Sequence, residues 1–230
     1  VSLVITLSIT SQVMAQDACV TGTSTMPSHG CFVSGVNDTT YTLTSDTPIA
    51  SPAGLTGIRI MNSDRNTLSY TGDITSVALN TYGLFMSSSD NNTITITGDI
   101  ATDGYGVIAS LGNYNDITLN GNITTSKYLS YGAMIIAELN TNFTLNGNIT
   151  TTAVDTPGMM LYNSSNMNVL INGNINVEGG GGPTAVDGRG IDVSGSSGST
   201  ITNLGTITTA GDDPYDIYLR DASTLATLNN

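Results

Sequence analysis

Several features are scarce in this 230-residue chain, and the shortages of basic residues and of long apolar runs each exclude a class of protein. Charged residues make up only 10% of the sequence, tryptophan is absent, and there is one histidine. The chain has five basic and 18 acidic residues, which gives a formal net charge of −13. Because an anionic partner would be repelled, we expect no binding of nucleic acid. No stretch after the first residues is apolar and long enough for a membrane helix.

Hydrophobic residues nevertheless make up 39% of the chain, and many of them are β-branched. Threonine, isoleucine and valine favour pleated, half-buried surfaces, whereas asparagine, glycine and aspartate favour the bends between strands. The composition therefore predicts an all-β protein with many short strands.

The first 15 residues are typical of an export signal. An apolar run over 1–10 is followed by small residues at Val13 and Ala15, which fit a signal-peptidase cut after Ala15. The basic leader that such signals carry is missing, since no lysine or arginine precedes Arg59. We therefore assign residues 1–15 to the remnant of a signal peptide whose start is lost or trimmed; a buried first strand is the alternative.

Cys19 and Cys31 are the only two cysteines. In an exported chain, an isolated pair so close in sequence is expected to form a disulfide. Free thiols are one alternative, and a metal site with His29 is another, although it would lack a fourth ligand. We expect residues 16–39 to form an N-terminal cap that covers the first open edge of the fold.

A degenerate repeat fills the rest of the chain. Segments such as TITITGDIA (93–101) and NFTLNGNIT (142–150) share a glycine, and a second motif of the type GVIA follows each one. The segment from the second-motif glycine to the next first-motif glycine is always 15 residues long, and we call it the invariant arm. The segment from the first-motif glycine to the next second motif varies from 8 to 17 residues, and we call it the variable arm. Constant spacing in one arm is expected if each coil rests directly on the last.

Alternation within the repeat assigns side chains to two faces. Relative to the first glycine, positions −4, −2 and +2 are almost always apolar, and +2 is isoleucine in six copies. Asn203 is the polar exception at position −2. We therefore predict a right-handed, three-sided parallel β-helix of about seven coils over residues 40–230, truncated in the middle of a coil. A left-handed helix would need shorter coils of stricter length.

Aligned polar and aromatic residues are the candidates for function. Four tyrosines precede the second motif, and we expect them to form either a packing ladder, which we favour, or a strip that stacks on sugar rings: Tyr82, Tyr105, Tyr131 and Tyr215. Asparagines beside the bend, such as Asn122 and Asn148, predict a ladder of amide hydrogen bonds. Asp73 and Asp99 would lie one coil apart, where a solvated acidic face is favoured over a calcium site.

The chain resembles the passenger region of bacterial autotransporters. The resemblance rests on the export signal, the capped start and the TGDI and NGNI coils, which are rich in threonine, asparagine and glycine. It implies a Gram-negative source, a C-terminal outer-membrane barrel in the full-length protein, and a location at the cell surface or outside the cell. It also implies a glycan or protein of a host surface or matrix as partner.

We expect a non-enzymatic adhesin or structural stalk that acts through loops on its variable arm, of which residues 178–188 form the longest. No catalytic residue, metal ligand or cofactor site is predicted, because the basic residues are scattered and nothing places a substrate beside Asp213 and Asp216. A carbohydrate-binding or polysaccharide-degrading β-helix is the alternative, although fold alone is a weak argument for it.

Overall fold

The structure, a computed structural model, describes residues 17–25, 30–45, 49–50, 56–77, 81–153, 156–178, 188–210 and 214–230. The predicted signal peptide (1–15), His29, most of the longest variable-arm loop (179–187) and Asp213 lie outside these residues. The described residues contain no helix that could cross a membrane.

The described residues form 25 strands. In chain order they are β1 (Asp17–Ala18), β2 (Gly22–Thr25), β3 (Cys31–Ser34), β4 (Thr40–Thr44), β5 (Ile49–Ala50), β6 (Thr56–Met61), β7 (Thr67–Thr71), β8 (Ile74–Ser76), β9 (Tyr82–Ser87), β10 (Thr93–Thr97), β11 (Ile100–Thr102), β12 (Tyr105–Ser110), β13 (Asp116–Asn120), β14 (Ile123–Thr125), β15 (Ala133–Ile136), β16 (Asn142–Leu145), β17 (Ile149–Thr151), β18 (Met159–Tyr162), β19 (Asn168–Ile171), β20 (Ile175–Val177), β21 (Arg189–Ser194), β22 (Ser197–Asn203), β23 (Ile207–Thr209), β24 (Tyr215–Arg220) and β25 (Thr224–Asn229).

These strands build three parallel sheets, which confirms the predicted β-solenoid. Sheet A contains β1, β3 and then every third strand to β24; sheet B contains β2, β4 and then every third strand to β25; sheet C contains every third strand from β5 to β23. Seven complete coils, from β3–β5 to β21–β23, each give one strand to every sheet. The invariant arm of the repeat connects sheet A to sheet B, and the variable arm connects sheet C back to sheet A. Right-handed winding, which parallel crossovers favour, stays a prediction.

The apolar columns predicted from the alternation line the interior. The +2 isoleucines stack in register along sheet C, where Ile74, Ile100 and Ile123 are at most 2% exposed. Stacking of like side chains gives each coil an interior that only its neighbours can close, so stability depends on the repeat. Asn203 also lies inside the solenoid, at 3% exposure, and its amide nitrogen donates to the Gly205 carbonyl at 2.7 Å.

The first-motif glycines lie where consecutive coils come closest. A methyl group added to Gly147 would lie 2.1 Å from the carbonyl oxygen of Gly121 in the preceding coil. The same contact, at 2.0–2.2 Å, recurs at Gly98, Gly121, Gly173 and Gly205. The glycines are therefore needed for contact between coils as well as for the bend that the sequence predicts.

The predicted disulfide joins Cys19 to Cys31. Cys19 follows β1, and Cys31 begins β3, which is the neighbour of β1 in sheet A. The bond therefore connects two successive coils covalently. Within residues 16–39, where we predict a cap, β1, β2 and β3 already belong to the sheets.

Candidate functional site

The three outer faces of the solenoid differ in chemistry. On sheets B and C the outward positions hold mainly small polar side chains, such as Thr95 and Thr124. On sheet A the outward column through the middle strands is apolar. In register it reads Arg59, Phe85, Ile108, Met134, Met160 and Asp192. We call the outer face of sheet A from β6 to β21 the contact face.

Three of the four predicted tyrosines form a stacked ladder beside this column. The ring centroids of Tyr82 and Tyr105 are 5.4 Å apart, and those of Tyr105 and Tyr131 are 5.7 Å apart, with interplanar angles of 15° and 19°. Burial raises the pKa of both Tyr105 and Tyr131. Tyr215 lies apart, next to Arg189 in register and with its ring 4.8 Å from that of Tyr218.

This stacking determines what the ladder can bind. Tyr105 has one neighbouring ring on each side, so both of its faces are covered. Tyr82 also contacts Phe85, with ring centroids 5.1 Å apart. Since sugar rings stack on open aromatic faces, the geometry supports the packing ladder better than the sugar-binding strip.

Exposed apolar side chains border the contact face on both sides. At the corner after sheet A, Leu111 and Tyr114 are 61% and 62% exposed, and Leu139 is 41% exposed. In the variable arm before β15, Tyr128 and Leu129 are 60% and 43% exposed. Within the column itself Ile108 and Met160 are only 7% and 6% exposed, so the exposed apolar area lies mainly at these borders. Exposed apolar residues that cluster in this way mark interaction sites more often than scattered single residues do.

The charged residues of sheet A are largely paired within the sheet. Asp192 is 1% exposed and accepts hydrogen bonds from Arg189 Nη1 at 2.6 Å and Arg220 Nε at 3.0 Å. The hydrogen bond to Asp192 raises the pKa of Arg220. Arg189 also lies over the ring of Tyr218, 4.5 Å from its centroid. Arg59 lies 5.8 Å from the ring centroid of Phe85.

The predicted asparagine ladders are confirmed, and they include both aspartates. Asp73 Oδ1 accepts from the backbone N–H of Asp99 at 2.9 Å, and Asp99 Oδ1 accepts from that of Asn122 at 2.7 Å. The ladder continues through Asn148 and Asn174 in the same way. These carboxylates therefore satisfy the backbone at the bend. Among the described residues there is no group of three or more histidine, cysteine or acidic side chains placed to hold a metal.

A second polar ladder lies buried at the corner between sheets A and B, and the sequence analysis missed it. Two positions, six and nine residues after each second-motif glycine, are polar in most coils. They are Ser63, Ser89, Gly112, Glu138, Ser164 and Ser196, followed by Asn66, Asn92, Asn115, Thr141, Met167 and Ser199. Side-chain oxygens of this ladder accept from backbone N–H groups of the preceding coil. Aligning the invariant arms of successive coils position by position would have shown that these two positions are polar in most coils.

Glu138 is the one acidic member of this buried ladder, and it is fully buried. Its carboxylate accepts hydrogen bonds from the Gly112 N–H at 2.9 Å, Asn115 Nδ2 at 3.2 Å and Thr141 Oγ1 at 2.8 Å. Gly112 gives it room, because a methyl group there would lie 2.8 Å from Glu138 Oε1. Burial raises the pKa of Glu138 despite these three donors, and the nearby charge of Asp90 adds to the increase.

Because of Glu138, we expect the wild type to lose stability as pH rises, and we expect the Glu138→Gln variant not to show this loss. Because the folded-state pKa lies above the ordinary value of 4.5, the unfolded chain releases this proton first. The wild type therefore loses stability from about pH 4.5 up to the folded-state pKa. Glutamine keeps an acceptor for the Gly112 N–H, and the Thr141 hydroxyl can accept from its amide. Asn115 Nδ2 loses its acceptor, but this loss is independent of pH and leaves the expected trend unchanged. Urea unfolding of both proteins between pH 4 and pH 8 measures the difference.

Glu178→Gln removes the same charge from an exposed position and serves as the control. The advantage of Glu138→Gln over the wild type should grow with pH, whereas Glu178→Gln should follow the wild type. An advantage that is independent of pH would contradict the role assigned to the buried carboxylate.

Together, these features define a three-sided parallel β-solenoid held by side-chain ladders, with one apolar outer face. No family model matches the chain, and neither a curated protein nor a solved structure matches it.

Proposed function

We propose that the chain is an exported, non-enzymatic β-solenoid rod with an adhesive or structural role. The observation that carries the proposal is the asymmetry of the outer surface: two faces are threonine-rich and polar, and one is apolar and aromatic. Tyrosine, phenylalanine, methionine and arginine are the residue types enriched in the buried centres of protein interfaces. The contact face and the bordering turns are therefore the surface at which the rod meets its partner.

The hydrogen bonds and ion pairs of several carboxylates support a structural role. The carboxylates of Asp73, Asp99 and Glu138 accept hydrogen bonds from the ladders, and that of Asp192 is paired with two arginines. Groups used in this way are not available as an acid and base pair flanking a substrate. The disulfide favours an oxidising compartment, and so export. An autotransporter passenger, displayed outside the cell, combines these properties.

The variable arm gives the contact face its border. The turn over 126–130 lies in this arm and carries the exposed Tyr128 and Leu129. We propose that this turn, rather than the longest loop alone, takes part in contact, since it leads directly into Tyr131 and β15.

Display of the chain on a non-adherent bacterial host tests this function. We expect the displayed chain to raise cell adhesion to immobilised matrix proteins or glycans above that of the empty host. The double change Tyr128→Ser with Leu129→Ser should lower adhesion several-fold, because it removes exposed apolar area from the border. The matched change Thr97→Ser with Thr124→Ser, on the two polar faces, should leave adhesion unchanged.

Two results would change the proposal. Adhesion at the level of the empty host would contradict the adhesive role and leave only the structural one. Release of reducing sugars from polysaccharides by the purified chain would show an enzyme and favour the alternative, a polysaccharide-degrading β-helix.

A further inference from the structure

Two large apolar residues have a left-handed backbone conformation at the corner between sheets A and B. The φ angles are 60° at Leu111 and 55° at Tyr114. The equivalent positions of other coils have the same conformation but hold residues that adopt it more readily, such as Asn163 at the first position and Asn91 and Asn140 at the second. A bulky side chain in this conformation carries a steric cost that asparagine largely avoids. The backbone of the corner therefore does not account for leucine and tyrosine at these two positions.

Burial does not offset this cost, because Leu111 and Tyr114 are 61% and 62% exposed. Leu139, in the next coil, is 41% exposed and is the bridge partner of Asn113, which lies between the two residues in sequence. The Leu139 carbonyl also accepts the Tyr114 N–H at 3.0 Å. We call Leu111, Tyr114 and Leu139 the corner patch. Left-handed backbone at residues that packing does not require is characteristic of functional sites.

Carboxylates border the corner patch. Asp116 is exposed and lies two residues after Tyr114. Asp90, one coil earlier, accepts the Asn113 N–H at 2.8 Å, and Asp64, two coils earlier, accepts the Asp90 N–H at 2.9 Å. Within the described part of the chain, none of these three carboxylates belongs to an ion pair. The apolar patch is therefore set in a negative surface that is not neutralised by the chain itself.

We propose that the corner patch binds a basic polypeptide segment in which apolar side chains stand beside lysine or arginine. The apolar side chains of the partner cover the patch, and its cations neutralise Asp90 and Asp116. The net charge of −13 attracts such a partner from a distance. The inference rests on the proposed function, because the patch borders the contact face, and it names the chemistry of the partner.

Fluorescence anisotropy with the purified full chain and a labelled synthetic peptide of alternating leucine and lysine tests the proposal. We expect saturable binding that weakens as salt is added, because salt screens exposed charges. The double change Leu111→Asn with Tyr114→Asn should weaken binding about tenfold or more. It should also raise the urea midpoint by about 0.5 M, because asparagine adopts the left-handed conformation more readily. If the two residues had a purely structural role, the midpoint would fall.

Leu204→Asn is the matched control, because Leu204 is 68% exposed at the corner between sheets B and C, away from the patch. This change should leave the affinity for the peptide unchanged. Asp116→Asn provides a second variant that leaves the apolar side chains in place. It should weaken binding several-fold and reduce the dependence on salt, because one of the bordering charges is removed.

A peptide that does not bind would overturn the inference, as would binding that the double variant retains. Equal binding of a peptide with glutamate in place of lysine would also overturn it. A neutral oligosaccharide that binds the wild type but not the double variant would assign the patch to a glycan instead. If the peptide does not bind but the displayed chain adheres to matrix, the inference fails and the proposed function stands. Peptide binding without adhesion would support the inference and contradict the adhesive role.

Discussion

Gly147→Ala is expected to lower the free energy of unfolding by about 3 kcal/mol, the upper part of the range for overpacked cores. The added methyl group would lie 2.1 Å from the Gly121 carbonyl oxygen and 2.5 Å from its carbonyl carbon. Both atoms belong to the backbone of a neighbouring coil that is fixed in register on both sides. No side chain can move away to make room, so the coils themselves must separate. Denaturant unfolding followed by circular dichroism measures the loss.

Thr124→Ala provides the control for this substitution. Thr124 lies on the outer face of sheet C, in the preceding coil, and is exposed. Its change should alter stability by less than about 0.5 kcal/mol, as is usual for surface positions. If Gly147→Ala lowers stability no more than Thr124→Ala does, the close approach of the coils does not require glycine at position 147.

Asp192→Ala is expected to destabilise the protein by about 2–3 kcal/mol, near the lower end for breaking a buried ion pair. The change leaves the guanidinium groups of Arg189 and Arg220 without the carboxylate that both contact. Arg189 is the more affected, because its side chain is only 16% exposed, whereas that of Arg220 is 34% exposed and can turn toward water. The shift in the urea midpoint measures this effect.

Asp38→Asn tests whether burial, rather than pairing itself, causes the loss; asparagine is chosen because Asp38 has a φ of 56°, which alanine adopts only with strain. Asp38 accepts hydrogen bonds from Arg65 Nε and Nη2 at 2.7 and 2.8 Å, but the two side chains are 64% and 53% exposed. An exposed pair of this kind contributes little, so we expect no measurable shift in the urea midpoint. Equal effects at Asp38 and Asp192 would show that the environment of Asp192 is not the determining factor.

The period of the repeat made the architecture predictable. Strict alternation around the shared glycine assigned Ile100, Ile123 and their equivalents to the interior, and the fixed 15-residue arm required coils in register. The asparagine ladder followed from the same logic, because equivalent residues of stacked coils lie side by side. These predictions depend only on the periodicity, which a single sequence displays in full.

The buried polar ladder could not be predicted from hydrophobic alternation. Most of its members are serine, asparagine or glycine, which favour exposed turns on composition alone. Glu138 stands in the place that serine takes in four of the coils, and its burial is possible because Gly112 in the preceding coil leaves space. The pairing of Glu138 with Gly112 can be recognised only when the residues that lie next to each other in adjacent coils are known.

The contact face also required the structure. The four tyrosines were aligned correctly with the start of the second motif, but the sequence could not show that Tyr105 is stacked on both sides. Nor did it show that Asp192, in an outward position, is covered by Arg189 and Arg220. Both depend on side-chain packing between coils and not on the position in the repeat.

The disulfide has a mechanical consequence. Tension along the solenoid axis acts on the contacts between coils in series, so rupture starts at the weakest junction. Cys19 and Cys31 bind one junction covalently, and it cannot open under load. The chain has no other cysteines, so no second junction is joined in this way. A pulled rod would therefore separate between coils beyond β3 and keep the crosslinked pair together.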